Sequence, residues 1–288
     1  MHHYGLTATH IEVLRQVYSG ERTVSQVADQ VGKSIAWTSE CITRLESMGL
    51  VEKRKDGLSV TLAPAEGELA RCLSVLLVED TMLHLSKVMS KAALAILPSL
   101  VGNGASVREL ELRTGLSSLT IRKCIREWRS MGIVRKQNRS ARYRLDTDRR
   151  ALAEFIIQYS GWRNLHRLQE VVPEAVIVWE RGDEFLFSSD GLVHRPGFLA
   201  AGPTRLDELD LDLVHTREYY LHDALTDQVS VEEALVQSLL VDPKNPRIAG
   251  LVRDGIEHHG MDPLSLQGFG AKYGIPSILE RVVTQHGA

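Results

Sequence analysis

Apolar residues recur along this chain at helical spacing, and they do so twice in the same order. Leu6, Ile11, Leu14 and Val17 follow Thr7, a residue suited to capping a helix, and predict a first helix over 6–18. A short second helix is predicted over 23–31 with its stop at Gly32. A third covers 34–48, with Thr38, Cys41, Ile42, Leu45 and Met48 facing inward and Gly49 closing it. Two short runs, 50–55 and 58–62, then flank Asp56-Gly57, a pair that favours a tight hairpin.

The plan returns 83 positions later: residues 23–53 and 106–136 align over 31 positions without a gap, ten of them identical. A self-similar segment of this length is one supersecondary unit used twice. Residues 89–101 supply the first helix of the second copy, shortened or kinked by Pro98. Ser106 and Glu109 form a capping-box pattern for the next helix. The third helix opens at Ser117 and turns Ile121, Cys124, Ile125, Trp128 and Met131 inward, and residues 133–136 and 141–145 make its hairpin. Three helices and a hairpin, repeated, predict two tandem winged helix domains, 1–65 and 89–147, joined by a connecting helix at 66–88.

After Asp148 the pattern changes. A linker helix is expected over 148–172, followed by a C-terminal α/β domain over 173–288 that ends in helices. Its strands are expected at 176–179 and 184–188, around Arg181-Gly182-Asp183, with a third possible at 211–216. Ser230 with Glu233, Asn245-Pro246 and Asp262-Pro263 each read as a helix start. The fold class is thus mainly α with small β wings, two winged helix domains and a C-terminal α/β domain.

Charge alters this picture more than composition does. The chain has a net charge of −3, yet residues 81–160 carry 15 Lys and Arg against 6 Asp and Glu, whereas residues 161–288 carry 11 against 20. A basic block inside an acidic chain points to a polyanion for that block alone. No apolar run reaches the length of a membrane span and the N-terminus lacks the pattern of a secretory signal, so a cytoplasmic protein without membrane association is expected. Cys41, Cys72 and Cys124 lack metal spacing and read as small buried thiols.

In a helix-turn-helix the third helix enters the major groove. The inward stripe of the second copy leaves Ser117, Ser118, Thr120, Arg122, Lys123, Arg126 and Arg129 outward, groups that can hold phosphate or base edges. The hairpin adds Arg135, Lys136, Arg139, Arg142 and Arg144. At the aligned positions of the first copy, Arg122, Lys123, Arg126 and Arg129 are replaced by Ser39, Glu40, Thr43 and Glu46, leaving Lys33, Ser34, Trp37, Lys53, Arg54 and Lys55 as its candidate DNA contacts. The other reading of such units is a protein-interaction scaffold that never touches nucleic acid.

The segments LTATHIEVL, RLESMGLVEKRKDG and RTGLSSLTIRKCIREWRSMGIVRK resemble the MarR-like and related winged helix transcriptional regulators. The resemblance covers about half the chain, residues 5–62 and 89–145. It implies a transcriptional regulator that binds double-stranded DNA, acts as a homodimer and needs no cofactor. The last third, with phrases such as VSVEEALVQSLL, loosely resembles the tails of antitoxin-type regulators, which implies sensing of a small-molecule or protein effector, or self-association. Acids and histidines gather there too: Glu180, Asp183, Glu184, His194, His258 and His259, with His215, His222 and Asp223 as a conceivable metal set. They match no catalytic motif, so no enzyme and no metal site are expected.

Overall fold

A computed structural model describes residues 5–20, 22–56, 59–79, 84–137, 140–209, 211 and 215–284. It is mainly helical with three small antiparallel sheets, and divides into two compact units, Met1–Asn164 and Leu165–Ala288, described in turn. Among the described residues no helix is long and apolar enough to cross a membrane.

In the first unit α1 (Ala8–Tyr18) begins at Thr7, which exchanges capping hydrogen bonds with His10. The two-residue strand β1 (Arg22–Thr23) leads into α2 (Val24–Val31), which starts in a capping box between Thr23 and Gln26. It ends at Gly32, where φ is +66°. Then come α3 (Ile35–Ser47), β2 (Val51–Asp56) and β3 (Ser59–Pro64), in a sheet of order β1-β3-β2. The hairpin strands pair from Val51↔Pro64 to Asp56↔Ser59, so Asp56, expected in the turn, is the last residue of β2, while Gly57 lies outside the described residues.

The segment read as one connecting helix holds two, α4 (Glu68–Glu79) and α5 (Leu85–Val88). Next comes α6 (Lys91–Ile96), which tightens into a 3-10 turn over Leu97–Leu100 where Pro98 cannot continue the α-helical ladder. β4 (Ala105–Ser106), α7 (Val107–Thr114), α8 (Ser118–Ser130), β5 (Val134–Lys136) and β6 (Arg142–Leu145) then repeat the earlier arrangement, with sheet order β4-β6-β5. β1 and β4 were not foreseen, because two residues are too few to show alternation. One apolar core serves both copies, running from Leu6 through Ile42, Leu45, Leu97 and Trp128 to Phe155 and Tyr159. The last two belong to α9 (Arg150–Gln169), the helix within which the division between units falls.

The second unit contains β7 (Val176–Arg181), β8 (Glu184–Ser189), β9 (Leu199–Ala200), α10 (Gly202–Asp207) and β10 (Glu218–His222). The sheet order is β7-β8-β10-β9, antiparallel throughout. Of the possible strand at 211–216, residues 212–214 lie outside the described residues, and 211, 215 and 216 are not in a strand. Four helices follow: α11 (Val231–Val241), α12 (Pro246–His258), α13 (Pro263–Tyr273) and α14 (Pro276–Thr284). Ser230, Asn245 and Asp262 cap α11, α12 and α13 through their side chains, at the starts read from the sequence.

Candidate nucleic-acid interface

α8 is fixed at its start by Ser117, whose Oγ accepts from the Thr120 N–H and lies 3.0 Å from the Thr120 hydroxyl. Ile121, Ile125 and Trp128 anchor its inner face, and the Trp128 indole donates to the Lys87 carbonyl at 3.3 Å. This leaves Arg122, Lys123, Arg126 and Arg129 exposed. Arg122, Arg126 and Arg129 follow one another by four and three positions, hence one above another on a single helix face. Glu127, the acid of α8, pairs with Lys87 at 2.7 Å, and among the described residues none of the four cations has a carboxylate partner. Ser118 is half-buried. Beside the cations stands Leu119, 79% exposed, which the sequence reading passed over in favour of polar groups. Its helical phase, outside the inward stripe, was the available signal.

The hairpin cations divide into two kinds. Lys136 and Arg144 are exposed and, among the described residues, have no ion pair. Arg135 is held by Asp146, whose side chain is 3% exposed, and by Asp148 at 3.4 Å. Arg142 donates to Glu109 Oε1 at 2.7 Å and to the Gly104 carbonyl at 2.7 Å. Arg135 and Arg142 therefore brace the fold, and little of their charge is left for a partner. Arg139 lies outside the described residues.

The first copy repeats the arrangement with part of its positive charge cancelled. Lys53 pairs with Glu46 at 2.6 Å, and Arg54 with Glu52 at 2.6 Å and Glu66 at 3.7 Å. Ser34 caps α3 by accepting from the Trp37 N–H. Trp37 is half-buried, 6.1 Å from the His10 ring on one side and 6.0 Å from the Lys33 ammonium on another. Ser39, Glu40, Thr43 and Lys55 are exposed. Of the two aligned helix faces, only that of α8 carries a concentration of positive charge.

Cys41 and Cys72 are buried and Cys124 partly so; burial pushes the Cys41 thiol up to about 11, far from a thiolate at neutral pH. In the second unit the conceivable metal set is dispersed among local partners. His215 bridges Asp207 (2.6 Å) and the Arg217 carbonyl (2.7 Å), His222 meets the Gly197 carbonyl (2.9 Å), and Asp223 accepts from the Leu225 N–H (2.9 Å). His258 and His259 both face Asp254. No group of three or more metal-ligating side chains with suitable geometry occurs among the described residues. Glu184 lies in a buried ion cluster with Lys272. Glu180 and His194 are exposed, and Asp183 sits at the β7–β8 turn. An open cavity of about 480 Å³ lies between Phe198, Thr204, Asp207, Glu218 and Tyr220, with His194 and Arg195 at its margin.

Neither a protein-family model nor a curated protein sequence matches the chain.

Proposed function

We propose that the chain is a sequence-specific, DNA-binding transcriptional regulator built on tandem winged helix units of the MarR-like kind, engaging duplex DNA mainly through α8 and the β5–β6 hairpin. The observation that carries this reading is the array of Arg122, Lys123, Arg126 and Arg129, exposed on one helix and without acid partners among the described residues, with Lys136 and Arg144 likewise exposed on the hairpin that follows. Each such cation set against a phosphate releases condensed counterions, a large favourable contribution at low salt. The first copy, with Lys53 and Arg54 paired with acids and Glu40 on its helix face, contributes to the shared core more than to the duplex. The homodimer implied by the resemblance belongs to this reading, and is supported by β7, an outer strand bearing the exposed Val176 and Val178. The cavity beside Phe198 and Tyr220 supports effector sensing by the second unit.

The test is retention of the full chain on random-sequence duplex between about 50 and 200 mM salt, a change that costs roughly half a decade of affinity per phosphate contact. Wild type should be retained and should elute with rising salt, while the Arg122→Glu, Arg126→Glu double variant should pass through. Passage of wild type even at the lowest salt would favour a protein-interaction scaffold, and equal retention of both would exclude α8 as the contact.

A further inference from the structure

Leu119 is the most exposed of the large apolar residues described in the first unit, and it stands in the first turn of α8, at the N-terminal edge of the basic array. It precedes Arg122 by three positions and Lys123 by four, so its side chain shares a face with theirs. Single exposed leucines are ordinary on protein surfaces. This one differs in its neighbours.

Phosphate contacts by Arg and Lys position a protein on DNA but carry no sequence information directly; that is read at base edges. The groups at the start of α8 that might read a base are few. The hydroxyls of Ser117 and Thr120 are turned toward each other, and Ser117 also accepts from the helix backbone. Ser118 is half-buried. Leu119, free of any such commitment, projects from the turn that would enter the groove first. The apolar feature of the major groove is the 5-methyl group of thymine.

The geometry points to Leu119 as a specificity-determining residue that packs against a thymine 5-methyl group, so that the preferred duplex carries a thymine beneath the first turn of α8. This rests on the DNA-binding reading given above. The aligned residue of the first copy is Ala36, which lacks the reach to make the same contact.

The experiment uses the full chain and duplexes selected by it from a randomised pool, then resynthesised with deoxyuridine in place of thymidine, all at once and one position at a time. Deoxyuridine pairs as thymidine does but lacks the methyl group. Wild type should bind the fully substituted duplex about fourfold more weakly, the equivalent of ~0.8 kcal/mol for one methyl-sized apolar group. One substituted position should account for the loss. Leu119→Ala, at an exposed helical site where alanine is favourable, should melt with wild type and bind both duplexes equally. Selective binding by wild type with no penalty for deoxyuridine, or a penalty kept by Leu119→Ala, overturns the assignment while leaving DNA binding intact. Failure of wild type to retain any duplex overturns both.

Discussion

Arg142 Nη1 donates to Glu109 Oε1 at 2.7 Å while the other oxygen of the same carboxylate accepts from the Ser106 N–H at 2.6 Å. One glutamate thus closes the capping box of α7 and ties the hairpin strand β6 to it. A second guanidinium nitrogen of Arg142 reaches the carbonyl of Gly104, whose φ is +68° and where a Cβ would overlap the Tyr143 carbonyl. The cluster fixes where the hairpin leaves the helices. Burial pushes the Glu109 carboxyl up, but the bonds from Ser106 and Arg142 outweigh it and hold it below the usual range. Its contribution is therefore present above the ordinary glutamate value of about 4.3 and is lost as pH falls through the lowered one. Both side chains are partly solvated, 39% and 28% exposed, which screens the pair. We expect Glu109→Gln to cost about 0.5–1.5 kcal/mol at pH 7, with the difference from wild type vanishing at low pH. Urea melts across pH 3–7 check this; a constant offset would count against it.

The two kinds of hairpin cation should separate in binding experiments. Lys136→Ala and Arg144→Ala remove unpaired charge and should each lower the slope of log affinity against log salt by about 1, with little change in stability. Arg135→Ala strands the buried Asp146, and should cost about 1–3 kcal/mol of stability while leaving the slope nearly unchanged. Salt titrations on random duplex, paired with thermal melts, distinguish the sets. Equal slopes for all three variants would mean that the ion pairs open on binding.

Much of this was legible in the sequence. The repeat shows as self-similarity along the chain, and the capping pair Ser106–Glu109, the inward stripe of α8 and the Pro-initiated helices α12 and α13 depend on neighbours within four residues, the range over which side-chain chemistry and backbone geometry are directly coupled. What escaped depends on distant partners. Nothing local says that Arg142 meets an acid 33 positions back, or that Arg135 is spent on Asp146 when Lys136 is not. Leu119 carries no donor or acceptor, so a pattern of polar groups does not mark it, though a groove also holds a methyl.

The second unit encloses an ionic cluster with a distinct pH signature. Lys272 Nζ, on α13, meets Glu184 of β8 and lies 2.8 Å from Glu233 of α11. The Tyr273 hydroxyl also donates to Glu233 at 2.7 Å, and Gln237 donates to Tyr273 while its carbonyl accepts from the Gly202 N–H. Glu184, 1% exposed, also meets Arg181 at 3.3 Å, but Glu233, 7% exposed, has no second cation among the described residues, so removing the lysine leaves a buried carboxylate uncompensated. Lys272→Met should cost about 3–5 kcal/mol. Burial alone would lower the Lys272 ammonium, but Glu184 and Glu233 outweigh it and raise the group. Its contribution is complete below the ordinary lysine value of about 10.4 and is lost as pH climbs through the raised one. Melts between pH 8 and 12 should show the Lys272-dependent loss in wild type only; a parallel decline in Lys272→Met would exclude the cluster as its source.

α9 appeared from the sequence to be a linker, since its spaced apolar residues do not reveal what they face. Leu152, Phe155, Ile156 and Tyr159 are all fully buried and belong to the same core as Leu6 and Trp128. Phe155 and Tyr159 stack one helical turn apart with ring centroids 6.0 Å from each other, and Tyr159 continues to Trp162 at 5.8 Å. The helix is therefore a structural wall of the first unit. A chain ending at Asp148 would lose this wall, while one ending after Asn164 keeps it. Phe155→Ala in the full chain should cost about 3–5 kcal/mol through lost burial and the cavity it leaves. It should weaken duplex binding only in proportion to the fraction unfolded, because none of the α8 cations is touched. Measuring affinity at 10 °C or so, where a stability dome commonly peaks, separates the two effects: a full loss of binding by a variant that is still folded would mean that α9 itself takes part in the DNA contact.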